Sequence, residues 1–288
     1  MSTTSTAPDR GRKDPGRAGR ARPDNVAAVL QSVLPPIILL ALWEVVTRLA
    51  PSPFFPPPSE IALAAVEEWF GGPPSALFLS PTVFEDVLPS VGRLASAWVI
   101  AVAVGVTLGL LIGISRTASD YFEPLVELVR AIPASATLPV FIILLGAGSL
   151  MRVAFIAFSG IVWIILINTI LGARQVEPVQ LETARAFALP RATTFFAVIL
   201  PAAAPKIFAG LRISIAGALI LMVVSELILS TNGIGYQLIQ AQRSFALLSM
   251  WTSILLLAIL GLLFNLLLTL LENRVLRWHR DSRRFAGR

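Results

Sequence analysis

Five stretches of this chain run for the length of a membrane-spanning helix without one charged side chain: Asn25–Trp43, Leu94–Ser115, Ala131–Met151, Val153–Ala173 and Phe245–Leu271. A bilayer core needs about 20 such residues, and inside it only a helix or a closed barrel satisfies its own backbone. A sixth run, Ile207–Leu229, carries only Arg212 near its start and Glu226 near its end. Six spans in an all-α membrane protein is therefore the expectation. Composition agrees: 14% of residues are charged and 56% hydrophobic, against roughly 25% charged in soluble domains. The polar material is too scarce to cover a globule in water.

What is missing excludes whole chemistries. The chain has no cysteine and one histidine, His279, which removes disulfides, thiol catalysis, thiolate metal sites, histidine clusters and histidine-based triads. No catalytic or metal-binding set is expected. The net charge of +6 does not point to nucleic acid, because the basic residues gather at the ends. Arg10, Arg12, Lys13, Arg17, Arg20 and Arg22 precede the first run; Arg274, Arg277, Arg280, Arg283, Arg284 and Arg288 follow the last.

Lys and Arg mark cytoplasmic ends. Starting inside, six spans leave both termini, Arg116 and the Arg174–Lys206 segment in the cytoplasm. Glu60, Glu67, Glu68, Glu85 and Asp86 then lie outside, and Arg48, Arg93, Arg152 and Arg243 at or beyond the outer ends. The expected organisation is a disordered basic tail over residues 1–24, a membrane domain over 25–272 and a basic tail over 273–288. The first apolar run is expected to be retained, since no small-residue cleavage site follows it as in a signal peptide. Gly146, Ala147 and Gly148 supply a tight turn before Arg152.

Two local features invite plain structural readings. Between Pro51 and Pro58, five prolines force an extended path; Ser59 is then placed to cap a short helix, Ile61–Phe70, stopped by Gly71, Gly72, Pro73 and Pro74. Its Ile61, Ala64, Ala65 and Phe70 suit either the membrane surface or the bundle. Gly105, Gly109 and Gly113 form a small-residue stripe that lets a second helix approach closely.

The segment from about 175 to 205 stands apart. Pro178 fits a first helical turn, Leu181, Ala184 and Ala188 recur at helical steps, and Leu189 and Pro190 interrupt them. Phe195, Phe196, Val198, Ile199 and Leu200 then make an apolar patch ending at Pro201. Periodicity alone is equally compatible with a cover over the bundle's own inner end and with a surface for a partner. The residues resemble the loop of ATP-binding-cassette (ABC) importer permeases, Glu-Ala-Ala-x3-Gly-x9-Ile-x-Leu-Pro: Glu182, Thr183 and Ala184 match its start, Val198, Leu200 and Pro201 its end. Ala188 stands where that pattern has glycine, which leaves Pro190 to supply the break. Phe54–Ile61, Ser90–Leu94, Arg130–Pro139 and Asn232–Tyr236 further resemble the nitrate, aliphatic-sulfonate and taurine branch.

The resemblance implies a type I ABC importer permease fold and a bacterial inner-membrane location. No Gly-x4-Gly-Lys-[Ser/Thr] loop occurs in the chain, so ATP and Mg²⁺ would sit on a partner ATPase and the chain itself would be no enzyme. The implied partners are cytoplasmic ATPase subunits, an external solute-binding protein, a second copy of the chain and the lipid bilayer, with no nucleic acid. The 175–205 segment would be the coupling helix, with Leu181, Glu182, Thr183, Ala184, Phe187, Ala188, Leu200 and Pro201 as coupling residues: Glu182 a polar contact, Ala184 close packing, Leu181 and Phe187 apolar anchors. The solute would be a small anion of the sulfonate, taurine or nitrate class, or else a vitamin or pyrimidine precursor. Asn232–Tyr236 and Pro56–Ser59 would be docking surfaces for the solute-binding protein, or plain turns.

Ionisable groups at membrane depth face protein or water. Glu44, Glu127, Arg130 and Glu226 are the candidates. Glu127 and Arg130 are spaced to pair on one helix face, and Pro133 and Pro139 are placed to bend the third apolar run. Glu226 reads either as an interfacial, solvated carboxylate or as part of a gate. With Asn168, Thr169, Ser214 and Ser225, Arg130 and Glu226 complete the candidate lining of a translocation path. A secondary transporter or channel would need buried acidic or histidine relays, for which Glu44 and Glu226 are thin support. A membrane-embedded enzyme would need a clustered catalytic set that the sequence lacks.

Overall fold

The computed structural model describes residues 25–277, so the expected tail over 1–24 and the end of the second tail, His279 included, lie outside the described residues. Contacts divide the chain after Pro58. The first unit holds α1, Asn25–Leu49, a 25-residue helix and so about 37 Å long. Within it Arg48 Nε donates to Glu44 at 2.6 Å, one turn apart.

Among its described residues the regular elements of the second unit are helices. After α2 (Pro58–Phe70) come α3 (Leu88–Ile114), α4 (Arg116–Arg130), α5 (Leu138–Leu145), α6 (Ser149–Ile156) and α7 (Val162–Arg174). Then follow α8 (Pro178–Ala186), α9 (Arg191–Thr194), α10 (Leu200–Leu229), α11 (Ile234–Arg243) and α12 (Leu247–Val275). Among the described residues, four continuous helical stretches are long and apolar enough to cross a bilayer: Val83–Ile114, Ser149–Arg174, Arg191–Ile228 and Leu247–Val275. A bent pair, Arg116–Arg130 with Ala134–Leu145, makes a fifth. With α1 the arrangement is consistent with six spans.

Three of these stretches are continuous only because of π turns. Val83–Val87 leads into Leu88-Pro89, and Phe195–Ile199 leads into Leu200-Pro201. In each, the leucine N–H reaches five residues back, to Val83 and to Phe195. A proline ring clashes with the carbonyl four residues before it, and the widened turn makes room. The helix therefore does not end at Pro201, as the apolar patch suggested. It starts at Arg191 and runs on to Ile228 over 38 residues, about 57 Å and longer than a bilayer core is thick. The third π turn, Ala157–Ile161, joins α6 to α7.

The expected third run, Ala131–Met151, is not one span: Arg116–Arg130, which precedes it, and Ala134–Leu145 form a bent pair, and its last residues belong to the Ser149–Arg174 stretch. The two helices of the pair meet at 86°, with the break at Ala131–Pro133, where Pro133 was placed to bend the chain, and Pro139 tolerated in the first turn of α5. Gly146, at φ 71°, makes the following turn, and Arg152 lies within α6 rather than at its edge, buried.

The glycine stripe behaves as packing. A Cβ on Gly105, Gly109 or Gly113 would lie 2.9, 2.6 or 2.8 Å from Ile165, Thr169 or Ala173, the matching four-residue steps of α7. On its other side α7 meets α10, where a Cβ on Gly210 would lie 2.6 Å from Asn168. α2 starts at Pro58, three residues earlier than expected, because proline suits a first helical turn. Ser59 is thus inside the helix rather than ahead of it. Ile61 and Ala65 are buried while Leu63, Val66 and Phe70 are exposed, and Thr252 Oγ1 donates to Glu68 at 2.6 Å, so one face of α2 packs on the bundle. α12 extends to Val275, past the last apolar run.

Candidate functional site

At the end of the bundle where α7 stops, Pro178 starts α8 and a Schellman turn ends it. The Leu189 N–H reaches the Ala184 carbonyl at 3.0 Å and the Ala188 N–H the Arg185 carbonyl at 2.9 Å. This closure requires a left-handed residue, usually glycine. Ala188 takes it at φ 48°. The turn expected to be weakened by the missing glycine therefore forms regardless, at the cost of Cβ strain.

The eight residues singled out in this region divide by exposure. Ala184 is 3% exposed, so its close packing is within its own chain, where α8 contacts the Phe195–Ile199 turn. Leu181, half-buried, lines a cavity of about 530 Å³ shared with Arg116, Asp120 and Arg174. Leu200 and Pro201 are half-buried near the start of the long Arg191–Ile228 helix. Glu182, Thr183, Phe187 and Ala188 point outward with Val179 and Leu189; Phe187 is 75% exposed. Thr183 Oγ1 is tied to the Val179 carbonyl at 2.7 Å.

The polar residues considered for a path are not brought together. Thr169 is fully buried against Gly109, with its hydroxyl on the Ile165 carbonyl. Asn168 is half-buried against Gly210 and donates to Ile164. Ser214 is buried, bonded to Leu211, and accepts the Trp98 indole N–H at 2.9 Å. Ser225, also buried, bonds Met222. Arg130 is different. It pairs with Glu127 at 2.7 Å, as spacing predicted, and both side chains are open, at 50% and 60% exposure.

Glu226 is not a solvated interfacial carboxylate. Its exposure is 0%, because charged and polar partners replace water on every side. Arg93 Nη1 donates to its Oε1 at 2.7 Å and the Gly235 N–H to its Oε2 at 3.0 Å. Ser90 Oγ stands 2.7 and 2.9 Å from the two oxygens and accepts the Ile234 N–H at 3.0 Å. Arg93 also donates to Asn232 Oδ1 at 2.6 Å and Ser149 Oγ at 3.1 Å. Asp86 accepts the Gly233 N–H at 2.7 Å and Gln237 Nε2 at 2.6 Å. Buried Arg152 interacts electrostatically with Arg93 and Glu226.

The glycines of Asn232–Tyr236 answer to this carboxylate. A Cβ on Gly233, at φ 122°, would lie 2.5 Å from Glu226 Cδ, and one on Gly235 2.8 Å from Glu226 Cβ. Gly233, Ile234 and Gly235 are buried, so they face inward rather than forming an open surface. Sequence reading missed Asp86, Ser90, Arg93, Asn232 and Gln237 as one cluster. Their signal was present in two motifs, Ser90–Leu94 and Asn232–Tyr236, which turn out to touch.

Residues 105–277 match the model of the binding-protein-dependent transport system inner membrane component family. The chain belongs to this family. It is a permease component of an ABC importer and a multi-pass inner-membrane protein. The permease is 30% identical to the aliphatic sulfonates transport permease protein SsuC of Bacillus subtilis strain 168, over 86% of this chain and 87% of that one. It is 30% identical to the taurine transport system permease protein TauC of Escherichia coli K12, over 84% and 87%. To the nitrate import permease protein NrtB of Synechocystis it is 32% identical, over 66% and 69%. The family match covers both the α8 turn and Glu226 of the permease, and begins after Arg93.

Proposed function

We propose that this permease translocates a small solute carrying an oxyanion, of the sulfonate, taurine or nitrate class, delivered by an external solute-binding protein and driven by a cytoplasmic ATPase. The substrate class follows the transport named for SsuC, TauC and NrtB. Two copies of the chain form the path, with the α8 end in the cytoplasm and both termini inside. Arg116, Arg174, Arg185, Arg191 and Lys206 at that end, against Glu60, Glu67, Glu68, Glu85 and Asp86 at the other, support the orientation.

The observation that carries the reading is the outward face of α8 and its turn. Val179, Phe187 and Leu189 expose apolar surface beside Glu182, at an end that lies outside the membrane-spanning helices. Large exposed apolar groups rimmed by polar ones mark protein contacts. ATP and Mg²⁺ belong to the ATPase; what this chain supplies is a rigid handle. α8 is fixed to the base of the long Arg191–Ile228 helix through buried Ala184 and half-buried Leu181, so a push on Phe187 moves a span. Asn168, Thr169, Ser214 and Ser225 then serve the path as packing points between moving helices.

The test is reconstitution in liposomes. With its ATPase and solute-binding protein, the permease accumulates a sulfonate, taurine or nitrate only when ATP is supplied; alone it accumulates none. Uptake by the chain alone, driven by an ion gradient, would establish a secondary transporter instead.

A further inference from the structure

The bend in the α4–α5 span opens a cavity of about 520 Å³. One wall is the end of α4, with Glu127 and Arg130, and the unwound Ala131–Pro133. The facing wall is Ser159, Trp163, Ile164 and Ile167. These four sit midway along the Ser149–Arg174 span, which puts the cavity at mid-depth. Ser159 belongs to the π turn Ala157–Ile161. A discontinuous span, a π turn and an ionisable pair thus converge on one opening, and each is a recognised companion of solute sites in membranes.

The pair's geometry says what the opening takes. Glu127 Oε2 accepts from Arg130 Nε; among the described residues the two terminal guanidinium nitrogens donate to nothing. That free edge is a fork suited to an oxyanion. Glu127 Oε1 remains an acceptor, suited to an ammonium. A bare anion would use one half of the pair and meet repulsion from the other. Trp163 has its indole N–H on the Phe158 carbonyl at 2.9 Å, which leaves its ring to offer apolar surface to the cavity.

We infer that this cavity is a transit site for a small zwitterion, an oxyanion and an ammonium on one short chain, in preference to a bare anion. Arg130 takes the oxyanion, Glu127 the ammonium, and Trp163 flanks the spacer. The inference rests on the importer function proposed for the permease and narrows its solute.

Full-length permease in lipid nanodiscs, titrated with taurine and with ethanesulfonate, tests it. Taurine should bind about tenfold tighter, the value of one charge-assisted contact. Glu127→Gln should abolish the preference, by weakening taurine and strengthening ethanesulfonate, and Arg130→Gln should weaken both. Equal affinities in the wild type, no binding of either probe, or an unchanged ratio in Glu127→Gln would overturn the site. ATP-driven uptake by the assembled importer separates the two levels. If it persists while the cavity fails these tests, the zwitterion site is wrong and the importer stands. If no solute is accumulated with ATP, the importer reading itself falls.

Discussion

The two ends of the helical bundle solve opposite problems. At the Glu226 end, Asp86, Ser90, Arg93, Asn232 and Gln237 satisfy one another inside a single chain. At the α8 end, Phe187, Val179 and Leu189 are left uncovered by the described residues. At one end the named polar groups bond to one another within a single chain; at the other, apolar side chains stand open. A self-satisfied polar cluster fixes where α3, α10 and α11 meet. An uncovered apolar turn on a helix anchored by Ala184 is a place for something else to hold.

The sharpest way to break this contrast is to remove one member of the buried pair. Glu226→Gln or Arg93→Met strands its partner, and breaking a buried ion pair costs about 3–5 kcal/mol. Thermal unfolding in detergent should show the largest loss of any substitution considered, and the double variant should be milder than the two single losses added together. A smaller effect is expected at Gly233→Ala, where strain at φ 122° and a Cβ 2.5 Å from the carboxylate cost about 1–3 kcal/mol by the same measurement.

At the α8 end the sign reverses. Ala188→Gly relieves a left-handed alanine at φ 48° and should raise stability by about 1 kcal/mol. Phe187→Asp and Glu182→Lys should leave the melting temperature almost unmoved, since surface changes stay within about 0.5 kcal/mol. Co-purification of the ATPase should nevertheless be lost. If Phe187→Asp destabilised the fold as Glu226→Gln does, the two ends would not differ as described.

How far the sequence could be read depends on the range of each interaction. Apolar runs marked four of the spanning stretches but missed Arg116–Arg130, whose charges hide its part in the bent pair; the glycine stripe and the Glu127–Arg130 pair were legible because helical spacing alone sets them. Pro133 announced its bend. Arg93 and Glu226 lie 133 residues apart, and no periodicity tells which side of a helix end faces protein, so both looked interfacial. Pro201 looked like a stop because a π turn that absorbs a proline leaves no mark in hydropathy. Ala188 looked like a weak point because sequence does not disclose when tertiary packing holds a non-glycine residue in the left-handed region.

Because the chain contains no cysteine, a single introduced thiol reports on one place. Phe187→Cys, in the importer assembled with its ATPase, should cross-link to the ATPase subunit through a short thiol-to-lysine reagent, while Leu63→Cys, exposed on α2, should not. Capture of the ATPase from position 187 alone is the predicted result. Cross-links from position 187 confined to the permease, in an importer that still accumulates solute with ATP, would contradict the account.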